Sequence, residues 1–258
     1  MRIPEFPSAT LSLAAALVML LCSGCTGSRM AAELADLGYE WVSVPGGTYM
    51  MGDTWEGTNP DAIPAHPVEV PDLDVSRYET TVAQYDWFTD RTGQPRWQPE
   101  NPNRGKRAIS EVVWQEAVDF CAYIGGRLPT EQEWEYLAAG GTDKQKFPGT
   151  DDPDEAEDYV RYRLNALAES FAVGTRQPNR FGLFDMGGNV AEWVSAYYEK
   201  YPEPGQEPVW HDLDVFDMRL VRGGGFSSEL AVTATYWRAG TLQDIRSPSI
   251  GFRCVRDR

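Results

Sequence analysis

The chain has 258 residues, with 39 Asp and Glu against 23 Lys and Arg and a formal net charge of −16. That balance excludes a nucleic-acid partner, which needs a basic footprint, and disfavours electrostatic docking on anionic lipid. With 24 glycines and 18 prolines, the composition points to a loop-rich fold in one large domain or two small ones, not to a helical bundle.

Residues 1–24 read as an export signal. Arg2 precedes an apolar run from Leu11 to Leu21, the length of a signal-peptide core and too short to span a bilayer. The stretch Leu21-Cys22-Ser23-Gly24-Cys25 resembles a bacterial lipobox, with cleavage before Cys25 and lipid on its thiol. An ordinary secretory signal with a nearby cleavage point is the other reading. Thr26, not Asp, follows the cysteine, which resembles an outer-membrane address. The expectation is a lipid-anchored protein of the bacterial cell envelope, on the outer membrane. Cys22 then leaves with the signal and Cys25 carries lipid, so Cys121 and Cys254 remain. In an oxidising compartment they pair, or else stand as two buried free thiols. A bridge closing so long a loop stabilises by roughly 4–5 kcal/mol on the chain-entropy model.

Residues 25–38 read as a lipid-anchored tether and 39–258 as the folded domain. Trp41 to Met51 alternates around Pro45-Gly46-Gly47 and predicts a hairpin. Strand character resumes at His66 and continues through Val75. Thr81 with Gln84 forms a capping box opening a helix to about Thr92, with Val82, Tyr85 and Phe88 inward. From Trp114 to Ile124, Ala117, Val118, Cys121 and Ala122 recur at helical spacing, and Gly125-Gly126 stop the helix. A second capping box, Thr130 with Glu133, starts a helix through Trp134 and Leu137. The six acids of residues 151–158 read as a solvated loop. Residues 199–218 form a long loop with Trp210 and Phe216. Short strands are predicted over 219–226, 232–237 and 250–255.

The densest stretch is Pro178 to Val194, PNRFGLFDMGGNVAEWV. Asp185 and Glu192 flank Gly187-Gly188, so the chain can fold back and converge two carboxylates with the carbonyls of Gly188 and Val190. Such a set of hard oxygens suits calcium. The plainer reading is a glycine turn in which Asp185 caps locally and Glu192 opens a short helix.

Several segments then fall in a recognisable order: RLPTEQEWEYLAAGG at 127–141, NRFGLFDMGGNVAEW at 179–193, RLVRGGGF at 219–226 and IGFRC at 250–254. Together, over about residues 40–257, they resemble the sulfatase-modifying-factor, or formylglycine-generating-enzyme, domain. The resemblance implies a C-type-lectin-like α+β fold, loop-rich, with short antiparallel strands and a few helices. It implies one calcium on Asp185, Gly188, Val190 and Glu192, and a disulfide between Cys121 and Cys254.

The enzymes of this family oxidise a substrate cysteine with two cysteines of their own, which follow the RGG strand and hold copper. Counting from Arg222-Gly223-Gly224, those places are held here by Ser228 and Thr233. Hydroxyls are poor ligands for Cu(I), which selects soft thiolates, so neither copper nor formylglycine formation is expected. A non-haem iron centre needs clustered imidazoles, and His66 and His211 are the two available, so iron is not expected either. The reading is a non-catalytic module that binds an envelope protein or small ligand. Residues 226–249 form its candidate face, with Phe226, Ser228, Thr233, Tyr236, Trp237 and Arg238 as contacts. The alternative is a divergent metal-dependent oxidase of the same superfamily.

Overall fold

The computed structural model describes residues 28–55, 59–94, 105–166, 169–201 and 218–258. The export signal, the lipidation candidate Cys25, His211 and most of the 199–218 loop lie outside the described residues. The chain divides into two compact units, residues 1–38 and 39–258. In the first, a helix spans residues 28–36 (α1), within the stretch read as a tether. Met30 to Ala35 are strong helix formers, and Arg29 pairs with Glu33 one turn on at 3.0 Å.

The second unit is α+β with short strands, as expected. In chain order the strands are β1 (Trp41–Val44), β2 (Gly47–Met51), β3 (His66–Val70), β4 (Leu73–Ser76), β5 (Ala191–Tyr197), β6 (Met218–Arg222), β7 (Arg238–Leu242), β8 (Ile250–Gly251) and β9 (Val255–Asp257). They form three sheets, ordered β1-β4-β9, β2-β3 and β7-β6-β5-β8. All pairings are antiparallel except β5 with β8.

The predicted hairpin over Trp41–Met51 is overturned. β1 pairs with β4 and β2 with β3, so Pro45-Gly46 carries the chain from one sheet to the other. Gly46 passes so close to the following strand pair that a Cβ there would stand 2.2 Å from the Val70 carbonyl oxygen. Pro71-Asp72 likewise splits the expected His66–Val75 strand in two. The strand expected over 232–237 is also absent, because residues Leu230–Thr233 make a 3-10 turn. The Thr233 hydroxyl donates to the Leu230 carbonyl at 2.8 Å, a local bond that competes with sheet pairing.

The helices hold to expectation. α2 (Val82–Thr92) and α4 (Glu131–Ala138) begin at the Thr81/Gln84 and Thr130/Glu133 capping boxes. α3 (Trp114–Tyr123) buries Ala117, Phe120 and Cys121, while Ala122 faces water. α4 lies at the centre of the main core, where Trp134 and Leu137 pack with Met51, Leu73, Leu183, Val194 and Leu220. Cys121 of α3 and Cys254 ahead of β9 form a disulfide, which closes the choice between a bridge and two free thiols.

Candidate functional site

The segment from Asp185 to Glu192 is held in an uncommon backbone path. Asp185, Gly188 and Asn189 all take positive φ, at 55°, 78° and 54°, in the left-handed region that costs non-glycine residues. At Gly188 a Cβ would sit 2.0 Å from the Arg161 carbonyl oxygen, so no other residue fits. Glu192 does not open a helix; it lies in β5 opposite Arg222.

Three buried carboxylates gather here. Glu192 is 1% exposed and its oxygens are taken by Arg253 Nε at 2.9 and 2.8 Å, Arg253 Nη2 at 2.7 Å and Trp134 Nε1 at 2.6 Å. Asp185 accepts the Gly174 backbone N–H at 2.6 Å. Glu79 accepts the Asn189 amide at 2.5 Å and the Val190 N–H at 3.1 Å. Burial pushes Asp185 up to about 6, against the pull of Gly174 and Arg253. Burial, reinforced by Asp185 and Glu192, pushes Glu79 well above the usual carboxylate range.

The donor set therefore fits a hard cation unevenly. At Asp185, a buried carboxylate has no ion-pair partner among the described residues and has the chemistry a divalent cation would satisfy. At Glu192 the counter-charge is already present in Arg253, so a cation would have to share that carboxylate with a guanidinium. Among the described residues, no group of three His, Cys, Asp or Glu side chains is placed to hold a metal ion. His66 stands on its own: Nδ1 lies 3.0 Å from the Pro64 carbonyl oxygen, and the ring packs edge-on against Tyr201.

Both hydroxyls expected at the thiol positions, Ser228 and Thr233, are engaged locally. Ser228 Oγ accepts the Gly225 N–H at 3.0 Å, and Thr233, fully buried, donates to Leu230. The contact face proposed for residues 226–249 is corrected for four of its members. Phe226, Thr233, Tyr236 and Arg238 are all buried. Tyr236 packs with Phe147 and Val160, and Arg238 belongs to an ion network. Ser228 and Trp237 remain partly exposed.

That network is what sequence reasoning missed. Arg222 Nη1 donates to Glu131 at 2.7 Å, and its Nη2 donates to Glu135 and the Thr235 carbonyl at 2.6 Å. Arg238 Nη2 takes the other oxygen of Glu131 at 2.8 Å, and Lys144 pairs with Glu135 at 2.9 Å. Charges thus alternate from Lys144 through Glu135, Arg222 and Glu131 to Arg238. Burial opposes the charge on Glu135, yet Arg222 and Lys144 outweigh it and hold the carboxyl below its ordinary value. The signal in the sequence was charge within apolar, glycine-flanked segments: Arg222 in RLVRGGGF and Arg253 in IGFRC. Such positions are buried, and a buried charge requires a partner.

The sequence profile of the sulfatase-modifying factor enzyme 1-like domain matches residues 29–258. A formylglycine-generating enzyme of Thermomonospora curvata is 27% identical, over 84% of this chain and 93% of that one. The inactive C-alpha-formylglycine-generating enzyme 2 of Mus musculus is 30% identical over 61% of this chain and 53% of its own length, so this chain spans about half of it. Among solved structures, Treponema denticola variable protein 1 superposes with a TM-score of 0.71 at 21% identity, over 85% of this chain and 95% of that one.

Proposed function

This chain belongs to the sulfatase-modifying factor family, with the fold of the formylglycine-generating enzymes, and on that premise we propose that it is a non-catalytic member. In this reading it is an exported, lipid-anchored binding or assembly module of the bacterial cell envelope. One reading of the sequence supports it above the others: counted from Arg222-Gly223-Gly224, Ser228 and Thr233 fall where the resemblance puts the enzymes' copper-binding thiols. Both hydroxyls are engaged in local hydrogen bonds, and Cys121 and Cys254 are consumed in a disulfide. A hydroxyl with no thiolate character neither selects Cu(I) nor exchanges with a substrate thiol. The relative named inactive is in keeping with such a loss.

Calcium at Asp185, with the carbonyls of Gly188 and Val190 and a share of Glu192, is part of this proposal, in a structural role. Anchoring through Cys25 is a further part; it requires that Cys25→Ser release the protein from membranes, and a variant still pelleting with them would remove it. The experiment on function incubates the copper-loaded full chain with a cysteine-containing sulfatase-type peptide and weighs the product. An unchanged peptide mass is expected. Conversion of the cysteine to the aldehyde would overturn the reading.

A further inference from the structure

A cleft of about 480 Å3 opens between the first turn of α4, the start of β3 and the outer half of β5. Glu131 and Arg238 on its lining are spent on each other. Arg219 is not. Its guanidinium lies 3.8 Å from the centre of the Trp114 ring and 3.6 Å from that of Tyr197. Nη2 donates to the Tyr197 hydroxyl at 2.9 Å and Nε to Gln243 at 3.4 Å. Among the described residues no carboxylate pairs with it, in a chain carrying 39 acids against 23 bases. Its sheet neighbours Arg222 and Arg238 each hold a glutamate.

Three further polar side chains on these walls are uncommitted. The Gln132 amide, the Ser195 hydroxyl and the Lys200 amine make no hydrogen bond or ion pair among the described residues. Against the charges of Arg219 and Lys200 stands Glu199 on the same wall, so the described lining carries a net positive charge in an acidic protein. Tyr197 is 45% exposed, an aromatic ring kept in water beside a cation.

A guanidinium held against two rings is ordered before any ligand arrives, so little side-chain entropy remains to be lost on binding. Nε and one N–H of Nη2 are used on Gln243 and Tyr197, which leaves three of the five guanidinium N–H donors for the two oxygens of a carboxylate. A purely alkyl acid would leave the Gln132 amide and the Ser195 hydroxyl without partners and desolvated. A saccharide ring would meet them with its own hydroxyls and lay its C–H face on tyrosine.

We propose that this cleft binds a carboxylate-bearing saccharide, with the carboxylate on Arg219, the ring against Tyr197 and the ring hydroxyls on Gln132 and Ser195. The proposal rests on the binding-module reading and gives that module a site and a ligand class. None of the cleft's lining residues is Ser228 or Thr233.

The test is NMR titration of the full chain with D-glucuronate, with D-glucose as the neutral analogue. Saturable shifts at Tyr197 and Arg219 are expected with glucuronate and not with glucose. Arg219→Gln should weaken binding about 10-fold or more, the equivalent of one charged hydrogen bond. Ser195→Trp, at an exposed strand position, should fill the cleft and abolish the shifts while the rest of the spectrum stays unchanged. No saturable shift with glucuronate, an equal response to glucose, or undiminished binding by either variant would overturn the proposal. A chain that made aldehyde yet bound glucuronate at Arg219 would sink the non-catalytic reading and leave this one standing; the reverse result would do the opposite.

Discussion

The Arg253 guanidinium holds both oxygens of Glu192, with Nε at 2.9 and 2.8 Å and Nη2 at 2.7 Å, while Trp134 Nε1 closes on Oε2 at 2.6 Å. Both side chains are buried to within 1%. Three of the segments that mark the family, RLPTEQEWEY, GNVAEW and GFRC, therefore meet at one carboxylate. They form one structural knot, in which removal of any member strands a buried charge or donor.

Breaking that pair has an asymmetric cost, because an unpaired buried charge is worse than none. Glu192→Gln should lower the unfolding free energy by about 3 kcal/mol. The double variant Glu192→Met/Arg253→Met should lose less than either single variant, since no charge is left behind. Urea unfolding of the three variants checks this; a double loss equal to the sum of the singles would show that the two side chains do not act as a pair.

Calcium should act through Asp185. Asp185→Ala is expected to lower the melting temperature in calcium and to change it little in chelator, where the wild type already lacks the ion. Equal losses in both buffers would reject the calcium assignment and leave the segment stabilised by Arg253 alone.

Acid stability should depend on Glu135. Its folded pKa is lowered from the ordinary 4.5 by Arg222 and Lys144 despite burial. A depressed carboxyl contributes stability that is fully present above its unfolded pKa and is lost as pH falls through the folded one. Urea unfolding from pH 7 to pH 3 should therefore show a decline below about 4.5. Glu135→Gln should be weaker at pH 7 by about 3 kcal/mol, with Arg222 and Lys144 deprived of their shared anion. Its stability should also fall less steeply with acid. Parallel curves for the two proteins would remove Glu135 as a source of the acid sensitivity.

The disulfide spans 133 residues, long enough for chain entropy to dominate. Cys121→Ala/Cys254→Ala is expected to lose roughly 4–5 kcal/mol, and reductant should weaken the wild type while leaving the variant unchanged. Denaturant titration with and without reductant separates the two. Equal sensitivity of both proteins would mean the bridge contributes nothing measurable.

The sequence by itself determined what is settled within a few residues. The helix starts at Thr81 and Thr130 were legible because a capping box closes over four positions. The reading of Ser228 and Thr233 as standing at the thiol positions needs only a count along the chain from Arg222-Gly223-Gly224. Tertiary structure alone decided partnership across distance. β1 pairs with β4 instead of the nearer β2, Glu192 finds Arg253 61 residues away and Arg222 finds Glu131 91 residues away. It also decided that Phe226 and Tyr236 turn inward and that Arg219 has no carboxylate partner among the described residues. Local periodicity reports which face of an element is apolar, not which other segment will cover it. Burial and charge pairing are fixed only when the whole chain has closed on its core.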